Sequence, residues 1–70
     1  MSGKIKITLN GKPAEVEAGL TVRSLLEGMK IVPEMVACEL NEMIVRRKDF
    51  SGTQIAEGDR IEILQMIGGG

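Results

Sequence analysis

The residues whose chemistry stands out are three glycines, Gly68, Gly69 and Gly70, which follow Ile67 at the end of the sequence. Glycine has no side chain to pack and costs the most entropy to order, so we expect residues 68–70 to form a flexible tail. Such a slender tail could carry the α-carboxylate of Gly70 into a narrow channel of a partner enzyme. A carboxylate is a poor electrophile. Adenylation by ATP would activate it, and attack by sulfur would then give a thiocarboxylate.

The composition excludes most chemistry within the chain itself. There is no histidine and one cysteine, which removes Ser-His and Cys-His nucleophile pairs and the usual zinc motifs. Nine basic and ten acidic residues give a net charge of −1, and the one aromatic residue is a phenylalanine, so nucleic acid is not an expected partner. We also expect no membrane contact, a cytoplasmic location, no enzyme activity, no metal and no bound cofactor.

A lone thiol and a short basic run are the other candidate features. Cys38 alternates with Val36 and Leu40, which predicts a buried residue that behaves as a small hydrophobe. The alternative is a sulfur-relay thiol, but no basic neighbour in the sequence would lower its pKa. The run Arg46-Arg47-Lys48 indicates a solvated strand end, with pairing to acidic groups of an activating enzyme as a second use.

The first element that must position the tail is an N-terminal hairpin. A strand over 4–10 is predicted from its alternating apolar residues, which are Ile5, Ile7 and Leu9. The Asn10-Gly11 pair suits a type I′ turn, because both residues tolerate positive φ. The return strand over 12–18 contains Pro13, which has no N–H to donate and therefore favours a sheet edge.

A single helix follows the hairpin. Thr21 is a good N-cap for a helix over about 22–30, and Pro33 prevents its continuation. The apolar residues recur at helical spacing, at Val22, Leu25, Leu26 and Met29. A helix this short needs a sheet to pack against.

Three further strands complete the pattern, at 36–41, 43–47 and 60–67, and Phe50 and Ile55 anchor the intervening segment. The order β-β-α-β-β-β predicts an α+β fold with one main helix packed on one face of a mixed four- to five-stranded sheet. If the last strand lies parallel beside the first in the centre, the fold is a β-grasp, or ubiquitin-like, fold. We expect a β-grasp domain over 1–67; a split ferredoxin-like fold is the rival, but it needs two full helices.

The outer face of the last strand is a candidate docking patch. If Ile61 and Ile63 face the core, then Glu62, Leu64 and Met66 face outward. An exposed Leu-Met pair beside the tail would suit a partner enzyme, because methionine adapts to differently shaped surfaces. The alternative is that the segment before this strand covers the face.

Taken together, these stretches resemble the ThiS family, the sulfur carrier proteins of thiamine biosynthesis. The resemblance lies in the order and spacing of four stretches: Ile5 to Gly11, Thr21 to Leu26, Val36 to Glu42 with Ile44 to Arg47 after it, and Glu57 to Ile63 before the terminal Gly69-Gly70. Two positions depart from the family pattern. Glu42 stands where the family often has glycine, so that turn must be of another type or somewhat strained, and Gly68 extends the glycine pair to three.

The resemblance implies a thiocarboxylate sulfur donor. An E1-like (ThiF-like) adenylating enzyme would use ATP to activate Gly70, a donor such as a cysteine desulfurase would supply sulfur, and a ThiG-like thiazole synthase would receive it. Look-alike carriers serve molybdopterin synthase, where they form the small subunit, and tRNA thiolation. A ubiquitin-like protein modifier that forms amide bonds through Gly70 and an interaction domain with an inert tail remain as alternatives.

Overall fold

The computed structural model describes residues 3–65, which form one helix on one face of a five-stranded mixed sheet. The elements are β1 (Lys4–Leu9), β2 (Lys12–Glu17), α1 (Val22–Gly28), β3 (Val36–Leu40), β4 (Met43–Val45) and β5 (Arg60–Gln65). The strand order is β2-β1-β5-β3-β4, with β1 and β5 parallel and all other neighbours antiparallel. This topology confirms the predicted β-grasp fold and the edge position of β2.

Both hairpins turn through pairs of residues with positive φ. Asn10 (φ 51°) and Gly11 (φ 82°) join β1 to β2, as a type I′ turn requires. Asn41 (φ 53°) and Glu42 (φ 70°) join β3 to β4 with the same signs. The second turn therefore has the same form as the first, and Glu42 occupies the position that favours glycine, which confirms the strain expected there.

Glu42→Gly is expected to raise the free energy of unfolding by about 1 kcal/mol, because glycine adopts positive φ without a steric penalty. The substitution also removes the Glu42–Arg60 ion pair (3.5 Å), but both side chains are largely exposed, so that loss is small. Urea denaturation measures the change. Glu42→Ala is the matched control, since it removes the carboxylate and keeps the strained backbone; a gain as large in the alanine variant would contradict the argument.

The helix begins as predicted and ends two residues earlier. The hydroxyl oxygen of Thr21 accepts a hydrogen bond from the Ser24 N–H (3.1 Å) and so caps α1. At the other end Lys30 adopts φ 61°, and the Ile31 N–H donates to the Leu26 carbonyl (2.9 Å). This is a Schellman closure. It stops the helix so that Ile31 can turn back and pack against the core.

The core lies between α1 and the inner face of the sheet. Its buried residues are Ile7, Val22, Leu25, Leu26, Val36, Cys38, Phe50, Ile55 and Ile61. Phe50 and Ile55 anchor the segment before β5, as predicted. Two 3₁₀ turns were not predicted: the first turn (Pro33–Met35) precedes β3, and the second turn (Arg47–Gly52) carries Phe50 against α1. The 3₁₀ turn at Arg47–Gly52 also shortens β4, because it begins at a residue that was predicted to belong to the strand.

Candidate functional site

The tail root, which we define as the end of β5 at Gln65, is the part of the candidate site that the structure describes. Gly68, Gly69, Gly70 and the docking candidate Met66 lie outside the described residues. What residues 3–65 contribute is the strand that leads into the tail and the surfaces around its end.

The neighbours of β5 change along its length. Arg60 and Ile61 pair with β1, which then turns away at Asn10. On the other side, β3 runs alongside β5 until Val36 pairs with Gln65. The tail root therefore lies beside the start of β3, at the opposite end of β5 from the Asn41-Glu42 turn. The Asn10-Gly11 turn is on the same side of the sheet as the tail root, because Asn10 hydrogen-bonds Ile63.

The two turn asparagines hold β5 in place. The side-chain oxygen of Asn41 accepts a hydrogen bond from the Arg60 N–H (2.9 Å), and that of Asn10 accepts one from the Ile63 N–H (2.8 Å). The Asn41 amide also donates to the Asp59 carboxylate (3.1 Å). Sequence reasoning assigned these asparagines to turn conformation alone. The signal for the second role was that both turns begin with asparagine, whose side chain can accept a hydrogen bond from a neighbouring strand.

The outer face of β5 is open, as predicted. Glu62 is exposed and Leu64 is 49% exposed, whereas Ile61 is buried. The alternative, in which the preceding segment covers this face, is wrong for Leu64: that segment packs into the core on the helix side through Phe50. The structure thus places two of the three docking candidates together on one accessible face.

Two carboxylates oppose each other on this outer face. Glu62 stands directly opposite Glu39 on β3, and Leu64 stands opposite Ala37. Like charges that face each other across strands are mutually repulsive. A cationic group brought against the Glu62–Glu39 pair would relieve that repulsion.

Cys38 belongs to the core. Its side chain is 1% exposed, and burial raises the pKa of its thiol above the ordinary value. Since the thiolate is the nucleophilic form, a thiol with a raised pKa and no exposure cannot relay sulfur in this fold. The expectation of a buried cysteine is confirmed.

The basic run is exposed, as predicted, but one of its members has a structural contact. The guanidinium of Arg47 donates to the carbonyl oxygens of Pro33 and Glu34, each at 3.4 Å. Arg47 therefore connects the second 3₁₀ turn to the first. Arg46 and Lys48 are exposed beside it.

Within residues 3–65 we find no group of three or more side chains that could ligate a metal. In the same part of the chain, no helix has the length and apolar character needed to cross a bilayer. Two grooves, of about 340 and 300 Å³, open elsewhere on the molecule, and neither is lined by a residue of β5.

Comparison with known proteins identifies the fold and its relatives. The model of the ThiS family matches residues 7–70. The crystal structure of the thiamine biosynthesis protein ThiS from Geobacter metallireducens superposes with a TM-score of 0.83 at 38% identity, over 94% of this chain and 100% of that one. The sulfur carrier protein ThiS of Escherichia coli is 32% identical over 66 residues, which are 94% of this chain and 100% of that protein.

Part of a longer protein is also similar to this chain. A thiazole synthase from Magnetococcus marinus is 44% identical over 66 residues, covering 94% of this chain but only 20% of that protein. The chain thus spans about a fifth of the length of the curated thiazole synthases it matches.

Proposed function

This chain belongs to the ThiS family, the sulfur carriers of thiamine biosynthesis, and from that premise we propose that it carries sulfur as a thiocarboxylate on Gly70. The observation that supports this most is that the family match continues through the glycine run to residue 70. We propose further that residues 1–67 form the β-grasp domain and that Gly68 and Gly69 give the flexible tail its reach.

The proposed chemistry uses groups borrowed from partners. In an E1-like adenylating enzyme, a carboxylate oxygen of Gly70 attacks the α-phosphorus of ATP, and pyrophosphate leaves. A thiol reductant releases hydrosulfide from the persulfide of a cysteine desulfurase and is itself oxidised to a disulfide. The hydrosulfide attacks the carbonyl carbon of the acyl-adenylate, AMP leaves, and the thiocarboxylate remains. ATP is a substrate of the partner, so the carrier itself needs no cofactor and acts as a co-substrate, not as an enzyme. We place these steps in the cytoplasm, where ATP is available.

The described residues contribute a rigid base for the tail. The side chains of Asn10 and Asn41 hydrogen-bond the backbone of β5 at Ile63 and Arg60, so the strand that leads to the tail is held in place. A strand held in this way has little conformational freedom to lose when a partner receives the tail.

We propose that partners dock on the outer face of β5 through Glu62, Leu64 and Met66. Leu64 offers exposed apolar area, and the opposed carboxylates of Glu62 and Glu39 favour a partner that presents a lysine or arginine there. Leu64→Glu is expected to raise the carrier concentration that half-saturates the adenylating enzyme; an unchanged value would contradict this docking site.

Thiazole synthase is the proposed recipient of the sulfur. The support is that proteins bearing that name contain a segment 44% and 33% identical to this chain within a much longer polypeptide. A segment that shares a polypeptide with a thiazole synthase in those two organisms is expected to bind that enzyme when it occurs on a separate chain.

Mass spectrometry of the intact chain tests the carrier function. After incubation with ATP, a cognate adenylating enzyme and a sulfur source, the chain should gain the mass difference between sulfur and oxygen. No gain with a demonstrably active enzyme would refute the proposal. Lysine adducts of the chain in extracts would instead indicate a protein modifier, and delivery of the sulfur to molybdopterin or to tRNA, with none to thiazole, would assign it to those pathways.

A further inference from the structure

Met29, Val32 and Met35 form a second apolar surface near the tail root, called here the root surface. We propose that it docks against an apolar rim around the channel through which thiazole synthase receives the tail. This inference rests on the proposed function and extends the contact area from the outer face of the sheet to the end of the sheet beside the helix.

The pairing of β3 with β5 places the root surface next to the tail. Val36 pairs with Gln65, and the first 3₁₀ turn (Pro33–Met35) directly precedes Val36. Met35 is therefore the residue immediately before the one that faces the tail root. The segment that joins α1 to β3 begins at Met29, the C-cap residue of α1.

All three side chains of the root surface are exposed and lie close together in the sequence. Met29 is 40% exposed, Val32 57% and Met35 58%, all within seven residues of sequence. Contiguous exposed apolar groups often mark a binding site, whereas single ones need no explanation.

The backbone that carries the root surface is held firmly. The Schellman closure at Lys30 fixes the end of α1, and Pro33 is buried. Arg47 donates to the carbonyl oxygens of Pro33 and Glu34 (3.4 Å each). Because the backbone is held in place, the surface is formed before the partner binds. Binding therefore costs little backbone conformational entropy.

The short reach of the tail requires a partner to approach this surface. Five residues follow Gln65 in the sequence, and an extended chain spans at most about 3.3–3.6 Å per residue, or roughly 17 Å in all. A partner that draws Gly70 into an enclosed site must bring the mouth of its channel close to the tail root. Residues around the root, including Met35, then fall inside the interface.

The composition of the root surface indicates the chemistry of the rim. Lys30 and Glu34 are exposed nearby and carry opposite charges, so charge does not select the partner here. Two methionines and a valine offer flexible apolar contact, which suits a rim of aliphatic or aromatic side chains.

Met35→Glu tests the proposal, with Met43→Glu as the matched control. Met43 is a still more exposed methionine (72%), but it pairs with Leu40, which pairs with Ile61 at the far end of β5. The dissociation constant of the full chain for a cognate thiazole synthase is measured by calorimetry. We expect Met35→Glu to raise it at least about tenfold, and Met43→Glu to change it less than about twofold.

Three outcomes would overturn the root surface. The first is an equal change in the dissociation constant for Met35→Glu and Met43→Glu. The second is an unchanged dissociation constant for Val32→Glu when the wild-type chain binds thiazole synthase. If Met35→Glu lowers the unfolding midpoint by more than a few degrees, Val32→Glu alone decides. The third is a wild-type chain that gains sulfur but does not bind thiazole synthase. The proposed partner of the root surface is then wrong, and the carrier function stands. If the wild type gains no sulfur, the carrier function itself fails.

Discussion

Removal of Gly69 and Gly70 is expected to abolish thiocarboxylate formation while leaving the thermal unfolding midpoint nearly unchanged. The loss follows because the proposed reacting carbonyl and its slender approach are removed together. The stability is retained because, within residues 3–65, the buried core residues lie between Ile7 and Ile61. Intact-mass measurement after the loading reaction reports the first effect, and circular dichroism during heating reports the second.

Gly68→Ala is the control for that truncation. It keeps the last two glycines and the length of the tail, so loading should persist. A truncated chain that still gains sulfur would exclude Gly70 as the carrier. A truncated chain that loses its fold would show that the tail has a structural role, and the loss of loading could then be attributed to unfolding.

Phe50→Ala is expected to cost about 3–5 kcal/mol of folding free energy, the range seen when a large buried aromatic side chain is removed. Phe50 is 1% exposed, is the one aromatic residue of the chain, and packs the second 3₁₀ turn into the core beside α1. A single core in a chain of this size supplies roughly 3–5 kcal/mol, so the variant should be largely unfolded at 25 °C.

Urea denaturation of Phe50→Leu keeps this prediction measurable when the alanine variant does not fold. Leucine fills part of the same space and should give a folded protein with a lower midpoint and an unchanged denaturant slope. A Phe50→Ala variant as stable as the wild type would show that the second 3₁₀ turn does not depend on its aromatic anchor.

The parts of the fold that sequence could predict are those set by local pattern. Alternating Ile5 and Ile7 fixed the inward face of β1, Asn10-Gly11 fixed its turn, and the Thr21 hydroxyl capped the helix as expected. Each depends on the period of apolar residues or on the φ preference of one or two residues. The central position of β5 followed from the order of the elements.

The parts that sequence could not predict depend on contacts between distant residues. Lys30 ends α1 in a conformation that lysine does not favour, because Ile31 gains a place against the core. Likewise, the hydrogen bond from the Ile63 N–H to Asn10 joins residues 53 apart in the chain. Outward placement was confirmed for Glu62 and Leu64. The docking role of the patch, and both the placement and the role of Met66, remain predictions.

The position of β5 also bears on when this protein can fold during its synthesis. The strand that is made last among those described lies in the middle of the sheet, and it joins β1 to β3 through pairs such as Thr8 with Arg60. A nascent chain that stops before residue 60 has two separate hairpins and no shared sheet. Non-local pairing of this kind makes folding slow, so we expect the five-stranded sheet to form only after β5 has been synthesised.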